Sequence, residues 1–479
     1  MPTNFRRRTL AYAIAMGFVA FSREGSSALS ADDDRHDHPR ETFKVGHRIM
    51  RIAVPYSVAG SPAFVPPSVA GSRQVDVHLW YPADLSDYFH APPTEYTSAL
   101  NGAFLTSFWD PLSWKVASSS AREGPAILRL GHKYPVIVFS HGNSNAPIDY
   151  AFNLEDLASA GFVVAAPTHV NNSQDDVLMD SANTQAAAAG FPLPFACRDT
   201  LAWSGDLVMD KDGLVLSSPC SHANVALSIA DRVRDITYTL DALPAKTENR
   251  VDLHRVGVFG HSRGTVTALT AAGGSAVWGI SPDPRVKAIM GMAIGIPAIT
   301  FSANISSIIQ PTLLVSGSRD TNTPPSVSQN AFELLASPEK LHVTIENAVH
   351  RTFDSTYCEQ LQSAAAIAQG TSRALLDSQT ALRILIAANN GVAVDYCGFE
   401  TFNTPTDIRP LVNTVTGFDV TEDNVPTTGL TTGQLRPCIS EMAVRFFGDT
   451  LGRGESREHD LRDNVPHACR DLTSRDRQP

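Results

Sequence analysis

The run Val256-Gly257-Val258-Phe259-Gly260-His261-Ser262-Arg263-Gly264-Thr265-Val266-Thr267 constrains this chain more than any other stretch. A short apolar segment leads into Gly-x-Ser-x-Gly, and small and β-branched residues follow. This is the layout of a nucleophile elbow, where a strand turns sharply into a helix and holds a serine oxygen above the sheet. A side chain at Gly260 or Gly264 would collide where helix and strand come closest, so glycine there has a steric reason. Five-residue patterns recur by chance, and the elbow carries weight only if the chain also supplies partners for its serine.

A serine hydroxyl is a weak nucleophile that needs a base to take its proton and an acid to orient that base. After an elbow these follow in the order Ser, acid, His, each on a loop past a later strand. The apolar strand Pro311 to Ser316 is followed by Gly317-Ser318-Arg319-Asp320, and the strand Leu341 to Ile345 by Glu346-Asn347-Ala348-Val349-His350. Ser262, Asp320 and His350 are therefore the candidate nucleophile, acid and base. Asp354 and Glu346 are less well placed acids, and His342 lies inside its strand. Acyl transfer also needs backbone N–H donors for the developing oxyanion. The residue after the nucleophile, Arg263, is one candidate. The other is Asn143, in the loop Ser140-His141-Gly142-Asn143 past the strand Val136 to Phe139, where His141 is read as structural.

The remaining pattern predicts an α/β class fold with a mostly parallel central sheet and helices on both faces. Continuous apolar runs at Val136 to Phe139 and Phe162 to Ala166 suit strands buried on both faces. Val75, Val77, Leu79 and Tyr81 alternate with polar neighbours, as in a strand partly facing solvent. Val225, Ile229, Val233, Ile236, Leu240 and Leu243 form one helical stripe, and Ile439, Met442, Ala443 and Phe446 another. Residues 47–451 are read as one domain, interrupted by insertions at about 167–222 and 354–438. The first insertion is long enough for a lid. Residues 452–479 read as a polar C-terminal tail.

Residues 1–30 have the three-part form of a secretory signal peptide: Arg6 to Arg8, the apolar run Leu10 to Phe21, then small residues. Arg6-Arg7 also fits a twin-arginine signal. The charged stretch that follows, 31–46, reads as a disordered leader. Export to a secreted or periplasmic location makes disulfides the default for Cys197, Cys220, Cys358, Cys397, Cys438 and Cys469. Nearest-neighbour pairing, 197 with 220, 358 with 397 and 438 with 469, is expected from among the 15 possible connectivities. A net charge of −11 gives no electrostatic footprint for nucleic acid or anionic membranes. No cysteine sits at zinc spacing, and neither a metal nor a cofactor is expected. Asn171 and Asn304 begin glycosylation patterns.

His141-Gly142, Gly260-His261-Ser262-Arg263-Gly264, Asp320 and His350 resemble the signature of the α/β-hydrolase superfamily. The stretch Val136 to Gly142, the run Leu157 to Pro167 and the Arg-x-x-Asp at Arg232 to Asp235 are similar to its branch of platelet-activating-factor acetylhydrolases and dienelactone-hydrolase-like proteins. The resemblance covers about residues 45 to 450 apart from the insertions. It implies an α/β-hydrolase fold and a serine esterase or lipase working without cofactor. Ser262, Asp320 and His350 would form its triad, with N–H donors at Asn143 and Arg263. Dienelactone hydrolases use cysteine as nucleophile, so their activity is not implied. Thr265 stands where many relatives have a second glycine, which leaves the resemblance silent on how closely the elbow helix packs. Gly-His-Ser-Arg-Gly is also similar to chlorophyllases, though only in the elbow and the His-Gly strand.

Met292-Ala293-Ile294, past another strand end, is expected to line the substrate site with the two insertions. These stretches are mostly apolar, which favours a neutral lipid-like, aryl or alkyl, or polyester ester. A peptidase or thioesterase using the same triad, and a non-catalytic binding module on the same fold, are the competing readings.

Overall fold

The structure is a computed structural model that describes residues 42–55, 72–97, 115–143, 145–170, 221–276, 279–295, 303–360, 394–397 and 427–452. It also describes residues 173, 363, 466, 469 and 472–474. The sequence expectations for residues 1–30, for most of the 31–46 leader, for most of the 167–222 insertion and for a Cys197–Cys220 bond lie outside the described residues.

The described residues from Thr42 onward form one compact unit. Its strands in chain order are β1 (Val45–Pro55), β2 (Ser72–Pro82), β3 (Pro93–Thr97), β4 (Lys115–Glu123), β5 (Tyr134–Ser140), β6 (Val163–Pro167) and β7 (Val251–His261). They continue as β8 (Val286–Met292), β9 (Thr312–Gly317), β10 (Lys340–Ile345), β11 (Val394–Asp395), β12 (Thr427–Thr428) and β13 (Thr473–Ser474). Eleven of them form one sheet in the order β13-β10-β9-β8-β7-β5-β6-β2-β1-β4-β3, and β11 pairs with β12 separately. The run from β6 to β10 is parallel throughout. β2 is antiparallel to both β6 and β1. This is the mostly parallel α/β sheet that the alternation of strands and helices predicts, and the α/β-hydrolase fold that the resemblance implies.

The central strands read as unbroken apolar runs because both faces are covered. Ile137 and Phe139 of β5 enter one core, with the helices Ala151–Ser159 and Thr432–Leu451. Val136 and Val138 enter the other, with Ser221–Lys246, Arg263–Gly273 and Pro325–Leu334. The predicted stripe of Ser221–Lys246 faces inward, since Ile229, Val233, Ile236, Leu240 and Leu243 are all buried. The hydrophobic effect on these two faces is what fixes the sheet.

Three boundaries differ from expectation. β1 begins at Val45, inside the stretch read as a leader, because Val45 and His47 are buried against β2 and β4. β3 and β4 extend the sheet beyond β1, where sequence pattern indicated nothing. The polar tail also carries structure. Thr473 and Ser474 pair with Ile345 and Thr344 at the edge of β10, and Cys469 is buried in a disulfide with Cys438. The expected Cys358–Cys397 bond is present as well, with Cα atoms 5.5 Å apart. Among the described residues no helix is long and apolar enough to cross a membrane.

Candidate active site

β5, β7, β9 and β10 are parallel, so their C-terminal ends open on one side of the sheet, where ligands collect in α/β folds. Ser262 follows β7 directly and has φ 53° and ψ −121°. A non-glycine residue at positive φ is strained, and surrounding contacts must hold it there. Ser262 N–H donates to Met292 O at 2.8 Å, and Thr265 N–H donates to Ser262 O at 3.0 Å. The two elbow glycines leave no room for anything larger. A Cβ on Gly264 would lie 1.8 Å from Ser140 O, and one on Gly260 would lie 2.3 Å from Gly264 itself.

Thr265 resolves the missing second glycine. Its hydroxyl lies 2.9 Å from both Gly260 O and Met292 O and shares its one proton between these two carbonyls. Its methyl occupies the space over Gly291 on the neighbouring strand, where a Cβ would come within 2.2 Å. The small residue needed for close packing sits in β8 instead of in the helix.

His350 begins a short 3-10 turn, His350–Phe353, after β10. Its Nε2 lies 3.0 Å from Ser262 Oγ, and its Nδ1 lies 2.8 Å from Asp320 Oδ2. A carboxylate only accepts, so Nδ1 carries the proton and Nε2 presents its lone pair to the serine hydroxyl. Asp320, in the turn after β9, is fixed in place. Its Oδ1 accepts the backbone N–H groups of Asn322 and Thr323 at 2.9 and 2.8 Å. The Thr323 hydroxyl stands 2.8 Å from Asp320 Oδ2, 3.1 Å from His350 Nδ1 and 3.2 Å from Ala293 O. Burial pushes the Asp320 carboxyl up, but His350 and the hydrogen bonds from His350 and Thr323 outweigh it and hold the group below its ordinary range. It therefore stays ionised opposite the imidazole.

Asn143 lies in the turn after β5, and Arg263 is the first residue of the elbow helix, next to Ser262. Burial lowers the Arg263 guanidinium to about 10. Met292, Ala293 and Ile294 are buried at 1% exposure or less, with side chains in the two cores. The sequence expectation is that they line the substrate site. Met292 and Ala293 spend their carbonyls on Ser262, Thr265 and Thr323, and Ala293 itself takes φ 44° to make the turn.

Several residues around the site were not singled out from sequence. His261 donates Nε2–H to His350 O at 3.2 Å and accepts from the Tyr150 hydroxyl at Nδ1 at 2.7 Å. Burial, and then the facing His350, keep His261 well below the ordinary histidine range, so it remains neutral. Asn145 spans two carboxylates, Asp149 at 2.8 Å and Asp354 at 3.1 Å. Asp354, weighed as an alternative acid, pairs instead with Arg351 at 2.9 Å. Thr356 closes the same stitch, its N–H donating to Asp149 O at 3.0 Å and its hydroxyl to Ile148 O at 2.6 Å. Apart from Asn145–Asp149 and Arg351–Asp354, these contacts join residues 89 to 209 apart in sequence, where local pattern gives no sign of them. Among the described residues, no group of three His, Cys, Asp or Glu side chains could hold a metal ion.

Comparison with known proteins gives the same picture. Residues 47–188 match the family described as platelet-activating factor acetylhydrolase, isoform II, and residues 179–369 match the PET hydrolase-like family. The chain is 25% identical to the platelet-activating factor acetylhydrolase of Bos taurus over 296 residues, 58% of this chain and 62% of that one. Identity to the enzyme of the same name from Canis lupus familiaris is 28% over 293 residues, with the same coverage. It is 28% to cutinase est1 of Thermobifida alba over 177 residues, 35% of this chain and 54% of that one. The matched region thus spans about three fifths of the two acetylhydrolases. The chain has the α/β-hydrolase fold, and its sequence is similar to the platelet-activating factor acetylhydrolases over one stretch and to the PET hydrolase-like family over another.

Proposed function

We propose that this protein is an exported serine esterase that hydrolyses carboxylic esters through Ser262, His350 and Asp320. The observation that carries this reading is the unbroken relay of 3.0 Å from Ser262 Oγ to His350 Nε2 and 2.8 Å from His350 Nδ1 to Asp320. It is built from three loops at one end of a parallel sheet. In the proposed reaction His350 takes the proton of Ser262 as the oxygen attacks the ester carbonyl. The backbone N–H groups of Asn143 and Arg263 receive the oxyanion, and His350 returns the proton to the departing alcohol. The acyl-enzyme is then hydrolysed by water that His350 activates. Asp320 stabilises the imidazolium in both halves.

The substrate is proposed to be a neutral ester with an apolar acyl or alcohol part. Lipid-like esters, aryl or alkyl esters and polyesters share that chemistry, and the named relatives are acetylhydrolases and a cutinase. Export by way of residues 1–30 is supported by the two disulfides.

The test is an ester panel varying acyl length and alcohol bulk, with matched thioester and anilide substrates, on wild type and Ser262→Ala. The expected outcome is preference for esters and a fall in kcat on the order of 10⁵-fold in the variant. Ser262 in the wild type should be labelled by a fluorophosphonate. Activity largely kept by Ser262→Ala overturns the assignment, and a higher kcat/KM on anilide or thioester moves the activity to a peptidase or thioesterase.

A further inference from the structure

Behind the proposed donor Asn143 lies a set of buried polar side chains that the reaction above does not use. Arg232, 1% exposed, donates Nη2 to Gly142 O at 3.1 Å and Nη1 to His141 O at 2.7 Å. His141 adds its own Nδ1–H to Gly142 O at 2.7 Å. The proton is kept on Nδ1 because Nε2 accepts the backbone N–H of His169 at 3.1 Å. His169 is itself held between Ser140 Oγ at 2.8 Å and Asp235 Oδ2 at 2.9 Å, and Asp235 pairs with Arg73 at 2.8 Å.

Ser140, His169 and Asp235 thus repeat the spacing of a Ser-His-Asp triad. All three are at 0% exposure, so no substrate carbonyl reaches the Ser140 oxygen. The array is a brace. Its output is the Gly142 carbonyl, pinned by two donors from one side.

A trans peptide is planar, with its C=O and the following N–H pointing in opposite directions, and the chain has no cis peptide among the described residues. Whatever fixes Gly142 C=O therefore aims Asn143 N–H. A cation hydrogen-bonded to that carbonyl also polarises the amide and strengthens its N–H as a donor, the more so where water is excluded. The turn passes directly over the elbow. The Gly264 position lies against Ser140 O, and a Cβ on Gly142 would come within 3.1 Å of His261 Nδ1.

We propose that Arg232 is a positioning residue for the oxyanion hole, its guanidinium acting with His141 to orient and polarise the Gly142–Asn143 peptide toward the developing charge. This rests on the serine-esterase reading above. The expected signature is selective loss of transition-state binding, because Arg232 does not touch the ground-state ester.

The test uses the full chain as wild type, Arg232→Gln, Arg232→Lys and Ser262→Ala. It measures kcat and KM on one ester, the inhibition constant of an aryl boronic acid and that of the product alcohol. The boron accepts the Ser262 oxygen as His350 takes the serine proton, giving a tetrahedral, anionic boronate that mimics the transition state. Arg232→Gln is expected to lower kcat by ~10- to 100-fold and to weaken the boronic acid by the same factor, while KM and alcohol binding change by no more than about threefold. Arg232→Lys keeps the charge but not the two-pronged fork, and should fall between. If thermal unfolding shows that Arg232→Gln does not fold, Arg232→Lys carries the same comparison. Unchanged kcat in a folded variant overturns the proposal, as does a loss of kcat with no matching loss of boronic acid affinity. Activity retained by Ser262→Ala would instead sink the esterase reading. An inactive Ser262→Ala beside a fully active Arg232→Gln would sink only this inference.

Discussion

At the scale of single residues, the elbow works because three close pairings have been matched. Gly264 lets the helix meet Ser140, Gly260 lets the strand meet the helix, and Thr265 fits only because Gly291 faces it. The last pairing yields a direct prediction. Gly291→Ala should destabilise the protein by ~1–3 kcal/mol through overpacking. Adding Thr265→Ser, which keeps the hydroxyl and removes the clashing methyl, should restore most of the loss. Denaturant unfolding of the two single variants and the double variant checks this, and additive losses would show the contact to be irrelevant. The sequence displayed Ser262, Asp320 and His350 because chain order and strand ends constrain where such groups can stand. Thr323, His261, Tyr150 and Arg232 were not legible as supports. Their identities are ordinary and, apart from the Thr323–Asp320 contact, the hydrogen bonds that make them supports join residues 27 to 111 apart, so no local pattern marks them.

At the scale of elements, the sheet is built further out than hydrophobic pattern reveals. β4 reads Lys-Val-Ala-Ser-Ser-Ser-Ala-Arg-Glu and buries only Val116, Ser118 and Ala121, two of them small, so a search for apolar alternation passes over it. β13 has two residues and no apolar signature at all, and it forms because Cys469 is tied to Cys438 in the final helix and Leu472 O accepts Glu346 N–H at 2.7 Å. This edge adjoins the segment from Ile345 to His350. Cys438→Ser with Cys469→Ser should therefore cost ~2–4 kcal/mol of stability. It should also speed hydrogen exchange at Thr344 and Glu346, whose amides face β13, and lower kcat, because the loop carrying His350 loses its anchor. Exchange mass spectrometry beside steady-state kinetics decides it, and unchanged exchange at those amides would mean that β13 is held without the bond.

At the scale of the whole molecule, buried charge sets the response to acid. Burial first, and the neighbouring Asp354 second, raise the Asp149 carboxyl to about 6. Its unfolded value is about 4. Between those values the folded state holds more protons than the unfolded one. The contribution of Asp149 is thus fully present below its unfolded value and is lost as pH rises through about 6. Asp320 has the opposite sign, since its folded value is depressed and its contribution disappears as pH falls. Asp149→Asn cannot titrate. Whatever its overall stability, its unfolding free energy should decline less steeply than that of wild type between pH 4 and 6. Denaturant titrations at several pH values read that slope, and parallel curves would refute the assignment.

The stitch between residues 145–149 and 354–360 has a consequence for how such a molecule can change. Asn145, Asp149, Thr356 and Gln360 bind the loop of the proposed oxyanion donor to the segment that carries on from His350. The two halves of the chemistry form one jaw that cannot widen on one side alone. On the proposed reading, substrates of different bulk are accommodated by residues outside the jaw rather than by opening it.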